Sequence, residues 1–196
     1  MLGLKNGVKF LSSFALDEKS KTGYKTKMMN YSFAGVTYKG ECAFEASDSR
    51  VFMGVKNLKI NPSDALEFLT GEKIDTGGVI NIDSRLGYES GVFKLNSIIK
   101  VSSAKIDVDR LGRMLLKDNK NFAGVPLELD VEIIIDGSNY IYNSAIYALA
   151  EGRLFVKGTL DSPLVSGAVD VVRGKINYLN RSFNIDSGSF KLSTLK

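Results

Sequence analysis

Histidine and tryptophan are absent from the 196 residues, cysteine occurs once, at Cys42, and proline three times. Without histidine there is no Ser-His-Asp or Cys-His nucleophile system and no HExxH metal motif. A single cysteine excludes an internal disulfide and a cysteine metal cluster. No stretch approaches the roughly 20 apolar residues of a membrane-spanning helix, and Lys5 and Lys9 interrupt the start of the chain. Gly71, Gly77 and Gly78 lack the Gly-Lys-Ser/Thr of a phosphate loop and the strand–GxGxxG–helix context, and no DxDxDG calcium spacing occurs. No catalytic residue, metal ligand or cofactor is therefore expected. The chain reads as a binding or structural protein and not as an enzyme.

What is present is ordinary in amount and unusual in arrangement. Apolar residues make up 44% and charged residues 24%, the composition of a globular chain with a sizeable core. Glycine is high, at 19, which suits many turns and strands. The net charge of +4 is spread along the chain, with one basic stretch at Lys19, Lys21, Lys25 and Lys27. That stretch reads first as a solvated hairpin loop. Its functional alternative is contact with lipid phosphate; with Tyr24 the sole interleaved aromatic, nucleic acid is not an expected partner.

Period-two alternation dominates. Leu127, Leu129, Val131, Ile133 and Ile135 point one way, and Glu128, Asp130, Glu132 and Asp136 the other. One dry and one wet face implies an antiparallel sheet solvated on one side. The carboxylates of the wet face are explained by that position, and Asp107 and Asp109 by the start of a helix. Cys42, Phe44 and Ala46 repeat the pattern opposite Glu41 and Glu45, so Cys42 reads as a small buried hydrophobe. Further rows are Leu154, Val156, Gly158 and Leu160; Val165, Gly167, Val169 and Val171; Ile176 and Tyr178; Phe183 and Ile185; Phe190 and Leu192. Gly158 and Gly167 on the apolar side signal bends or close backbone approach. Asp136–Asn139, Asp161–Pro163, Leu179–Ser182 and Asp186–Gly188 read as turns between short strands.

Two helices interrupt the strands. Asn61 caps the first, with Pro62 at its first position, Ala65, Leu66, Phe68 and Leu69 as its stripe and Gly71 after its end. The second spans about 107–118, with Leu111, Met114 and Leu115 on one side. Both are expected to cap the ends of the sheet. Lys117–Gly124 is the best boundary, separating a mixed strand/helix segment, 1–120, from an all-strand segment, 121–196. Alternation by itself leaves open whether the dry faces meet as a closed β-sandwich or line an open trough.

The run Gly158-Thr159-Leu160, Pro163, Gly167, Val169, Val171, Arg173-Gly174, Ile176 resembles the signature of the TamB C-terminal domain. A hairpin and then Phe183-Asn184-Ile185 with Gly188 and Phe190 follow, as in that family, and Val125-Pro126-Leu127-Glu128-Leu129-Asp130-Val131 resembles its upstream strand. The likeness covers about 125–193. Residues 1–120 are similar in texture to the wider AsmA-like group. The resemblance implies an elongated antiparallel sheet curled into an open trough, a β-taco, with an apolar interior and one or two short capping helices. It implies a periplasmic protein anchored in the inner membrane by an N-terminal helix outside this chain. The implied ligand is phospholipid or another acyl-chain lipid, carried towards the outer membrane. The implied alternative is an assembly scaffold working with a TamA- or BamA-type outer-membrane barrel.

On this reading Leu127, Leu129, Val131, Ile133, Ile135, Leu154, Val156, Val165, Val169, Val171, Ile176 and Phe190 line the trough. Phe190, Lys191, Leu192 and Ser193 form an edge strand open to a partner. Some twelve stacked strands would give a wall roughly 55–60 Å long.

Overall fold

The computed structural model describes residues 11–14, 18–20, 23–33, 36–47, 50–70, 75–107, 109 and 126–193. The strands are β1 (Leu11–Phe14), β2 (Glu18–Ser20), β3 (Gly23–Phe33), β4 (Val36–Ser47), β5 (Arg50–Ile60), β6 (Val79–Glu89) and β7 (Val92–Ser102). They continue with β8 (Lys105–Asp107), β9 (Leu127–Tyr142), β10 (Ile146–Thr159), β11 (Ser162–Tyr178), β12 (Arg181–Ile185) and β13 (Gly188–Ser193). One helix, α1 (Pro62–Thr70), lies between β5 and β6.

All the strands belong to one sheet of order β1-β3-β4-β5-β6-β7-β9-β10-β11-β12, and its ends do not close on each other. The sheet spans both of the segments divided at residue 120. Three short strands lie in line with others: β2 pairs β3 beside β1, β8 pairs β9 beyond β7, and β13 pairs β11 beside β12. The stack is thus ten strands wide and not twelve, or about 43 Å at 4.8 Å per step.

The expectation of antiparallel pairing holds except at one junction. β7 and β8 pair β9 in parallel, with Leu95 opposite Leu129 and Ile106 opposite Ile141. A parallel step needs a long crossover, and residues 108–126 supply its length. The second predicted helix falls in that crossover, outside the described residues except for Asp107, which ends β8, and Asp109.

Two predicted turns are corrected. Asp136–Asn139 is not a turn but a bulge inside the 16-residue β9, where the register shifts opposite Ala150 and Gly152. The turn comes later: the Asn143 side chain accepts from the amides of Ala145 and Ile146 at 2.9 and 2.8 Å. Asp186–Gly188 is likewise no hairpin. It is a break in one edge line, since β12 and β13 both pair β11. β10 and β11 are consequently long, at 14 and 17 residues, while β12 and β13, at 5 and 6, are short as expected.

The first helix forms as its capping residues predict. The Asn61 side chain accepts from the Ser63 amide at 2.8 Å. The Tyr38 hydroxyl donates to the Asp64 carboxylate, which ties α1 to β4; burial and that carboxylate both push the phenol well above its ordinary pKa. Below the helix, the Thr76 amide donates to Ser63 at 3.0 Å and the Lys105 amide to the Thr76 carbonyl at 2.7 Å. Thr76 therefore links α1 to the start of β8.

Candidate functional site

Paired residues in a sheet share a face, so the register lists what each face carries. One transverse row runs Leu58, Ile82, Ile99, Ile133, Leu154, Gly167, Leu192. The next on the same face runs Ile60, Ile80, Val101, Ile135, Gly152, Val169, Phe190. Towards the other ends of the strands lie Val55, Ser84, Ser97, Val131, Val156 and Val165, then Met53, Leu86, Leu95 and Leu129, then Val51, Tyr88, Phe93 and Leu127. All these positions lie on one face, and it is aliphatic from β5 to β13.

Each of the twelve expected lining residues falls on this face. Bulges keep Val171 and Ile176 there: Val171 faces Ala150 and Ile176 faces Ile146, with the register shifting between them. The rows missed from the sequence are those of β5 to β7. Their signal was legible, because Ile80, Ile82, Leu86 and Tyr88 alternate as plainly as Leu127 to Ile135.

Among the described residues no second layer covers the face. Among the described apolar residues only Cys42, Ala104, Val131, Ala148, Ala150 and Val171 are buried. Cys42 is thus the small buried hydrophobe expected, packed by Tyr38, Val55 and Leu58. Most of the lining residues are half-buried by their neighbours in the sheet, and Phe190 stays 57% exposed. Phe44, Val51, Met53, Tyr88 and Phe93 are also exposed on this face, with the Tyr88 and Phe93 rings 4.8 Å apart. A closed sandwich would bury these side chains, so the open alternative stands.

Two devices bend the face. Gly167 has φ +130°, and a Cβ there would lie 2.1 Å from the Arg153 carbonyl. Only glycine fits a backbone approaching so closely, as its place on an apolar row suggested. The second device is the β9 bulge, which adds local twist. Asn139, fully buried, clamps it: its side chain accepts from the Ala104 amide at 3.0 Å and donates to the carbonyls of Val101 at 2.8 Å and Asp136 at 2.6 Å. The same clamp bridges the break between β7 and β8. Burial would raise the pKa of Asp136, but hydrogen bonds from Ser102, Ser138 and Asn139 outweigh it and hold the carboxyl below its ordinary range.

One polar pair interrupts the aliphatic rows. The Ser84 and Ser97 hydroxyls bond each other across β6 and β7, and each thereby satisfies its partner.

The opposite face is charged and internally matched. Three of the four carboxylates of the β9 wet row meet a cation from a neighbouring strand; Asp136, in the bulge, meets none among the described residues. Lys94 lies 3.6 Å from Glu128, Lys157 3.6 Å from Asp130, and Arg153 2.8 Å from Glu132. A cleft of about 770 Å³ lies on this face, lined in part by Gly54, Phe52, Arg85 and Phe155, with Arg85 stacked 4.1 Å above the Phe52 ring. None of the twelve lining residues borders it. No metal-binding group of side chains occurs among the described residues.

At the C-terminal edge, Lys191 pairs Ala168 and Leu192 pairs Gly167 on β11. Beyond β13 no further described strand pairs, and all six of its residues are exposed. The basic stretch Lys19–Lys27 brackets the β2–β3 pairing, with Glu18 opposite Lys25; its side chains lie outside the described residues. No helix among the described residues is long and apolar enough to cross a membrane.

A family model described as the TamB C-terminal domain matches residues 79–194, which is β6 through β13 and reaches further upstream than the 125–193 legible from motifs. No curated protein and no solved structure matches the chain.

Proposed function

We propose, since this chain belongs to the TamB C-terminal domain family, that its uncovered aliphatic face holds the acyl chains of phospholipid in passage between the membranes of a bacterial envelope. The observation that carries this reading is the continuity of the face. It passes from β5 to β13 without a charged residue in its rows, even across the parallel β7–β9 junction, where Leu95, Ile99 and Val101 meet Leu129, Ile133 and Ile135. Exposed apolar surface of this extent marks a binding site, because leaving it in water forgoes about 25 cal/mol for every Å². Acyl chains suit it: they are linear, they ask for no hydrogen bonds, and rows 4.8 Å apart offer equivalent contacts at each step. An open edge lets a headgroup remain in water while its tail lies on the sheet. The reading is of a periplasmic, non-catalytic carrier, with the two segments 1–120 and 121–196 acting as one trough.

The test is native mass spectrometry with lipid extraction on the purified chain. Co-purified phospholipid is expected, displaceable by a spin-labelled fatty acid and lost in Val169→Arg, which places a charge in the middle of a row. A lipid-free protein that ignores added lipid would sink the proposal.

A second reading rests on the exposed edge formed by β13. The family is associated with the barrel partner TamA in the translocation and assembly module. An unpaired edge adds a strand from a partner through backbone hydrogen bonds. Lys191→Pro is expected to abolish capture of a TamA-type barrel and leave lipid occupancy intact; loss of lipid with capture unchanged would reverse the ranking of the two readings.

A further inference from the structure

One end of the sheet carries side chains beyond Ile176 that neither the aliphatic rows nor the edge strand uses. It is built by the β9–β10 turn and the β11–β12 hairpin, which pair through Ile146 opposite Ile176 and Tyr147 opposite Lys175. The Asn177 amide donates to the Ala145 carbonyl at 2.7 Å and fixes the two tips side by side. From Gly137 to Ala150 the chain carries no charge, but it presents Tyr140, Tyr142 and Tyr147. From Val171 to Ile185 it has no acidic residue, and its charges are Arg173, Lys175 and Arg181. The nearest upstream acids, Asp107 and Asp109, sit on the β8 side of the β9–β10 turn, where Asp109 accepts from the Asn143 amide group at 3.2 Å.

The hairpin tip is the most exposed apolar point described. Leu179 is 78% exposed, Tyr178 65% and Phe183 51%. Leu179 and Asn180 have φ of 46° and 59°, the two left-handed positions of a tight hairpin turn. Asn or Gly fills such a position readily, and a leucine does so against its steric preference. A large apolar side chain thus stands at the outermost point, on a backbone that disfavours it. Behind it Tyr140, Tyr142 and Tyr147 share one face with Arg173 and Lys175, and Arg181 pairs Tyr178 next to the turn.

We infer that this hairpin end docks on a lipid bilayer bearing anionic headgroups, with Leu179 and Phe183 entering the interface and Arg173, Lys175 and Arg181 meeting the phosphates. Tyrosine suits the boundary layer, where its ring is sheltered and its hydroxyl is wet. The cations fit a negative surface, and the nearby acids, Asp107 and Asp109, lie on the β8 side, with Asp109 held by Asn143. The inference goes beyond the groove reading and stands without it, since it rests on the tip alone.

Vesicle flotation of the whole chain tests it. Vesicles mixing phosphatidylglycerol with phosphatidylcholine are expected to carry the protein, and added salt is expected to release it. Vesicles of phosphatidylcholine alone should carry far less. Replacing Arg173, Lys175 and Arg181 together by Gln is expected to weaken binding about a hundred-fold, at about five-fold for each cation. Leu179→Gly relieves the turn and is expected to keep or raise the melting temperature while weakening binding about ten-fold. Equal binding to both kinds of vesicle, or unchanged binding by a well-folded Leu179→Gly, would overturn the inference. So would a dimer in light scattering that Leu179→Gly dissolves without any vesicle binding, which would assign the tip to a second copy. Val169→Arg should still float with the vesicles, so failure of the groove reading and failure of this one are separable.

Discussion

β4 to β7 and β9 to β11 carry the same aliphatic face but hold it differently. Strands of the first region are 11 or 12 residues long, and its large side chains Phe44, Val51, Met53, Tyr88 and Phe93 remain exposed. Strands of the second are 14 to 17 residues long, and Val131, Ala148, Ala150 and Val171 are buried there. Hydrophobicity does not account for the contrast, since both regions alternate equally well. Bulges occur in both, at Val55–Leu58 and at Ala150–Gly152, so the glycines make the difference. Gly152 and Gly167 let backbones approach where a Cβ would meet carbonyl oxygen at 2.3 and 2.1 Å, while Gly54 in the first region has nothing nearer than 3.8 Å. Pattern makes the face, and local departures from regular strand geometry shelter it.

The largest effect should come from reversing that difference. Gly167→Val places a β-branched residue at φ +130° against the Arg153 carbonyl and is expected to cost more than about 3 kcal/mol. Gly54→Ala makes only ordinary contacts and is expected to change stability by less than about 1 kcal/mol. Urea unfolding of both variants measures the pair, and equal losses would break the comparison.

A middle-sized effect is expected at the clamp. Asn139→Ala leaves the Ala104 amide and the Val101 carbonyl without their partner and should cost about 2–4 kcal/mol. Hydrogen exchange should rise at Ala104 and across the β7–β9 junction, with β4 and β5 unchanged. A uniform rise through the sheet would show that the two regions open as one.

The smallest effect concerns acid. The pKa of Asp136 is lower in the folded chain than its ordinary value, so its carboxylate adds stability in full above about pH 4. That contribution is lost as pH falls through the lowered value. Urea midpoints measured from pH 5 to pH 3 should therefore drop more for the native chain than for Asp136→Asn. Parallel curves would remove Asp136 from the clamp.

Much of this molecule was legible before its structure. Leu127 to Ile135 announced a half-wet strand, and the ion pairs of Glu128, Asp130 and Glu132 with Lys94, Lys157 and Arg153 give that wet face its content. Gly167 announced a bend. Asp136-Gly137-Ser138-Asn139 misled, because bulges and turns draw on the same residues: both need left-handed or side-chain-bonded backbone. What separates them is the strand on either side, which local sequence does not contain. The parallel junction was hidden for the same reason, since residues 108–126 do not state which strand the chain returns beside.

The sequence by itself determined which side chains share a face within each unbroken stretch of strand, because successive residues point to opposite sides whatever they pair with; the bulge that brings Val171 and Ile176 to one face it did not show. It also determined where the backbone can bend, because only glycine tolerates the closest approaches. Strand order, the parallel step and the lack of a covering layer among the described residues were decided by the tertiary structure alone. Backbone hydrogen bonds are the same for every residue, so the choice of neighbour, and whether the dry face meets protein or stays open, depends on contacts between residues far apart in the chain.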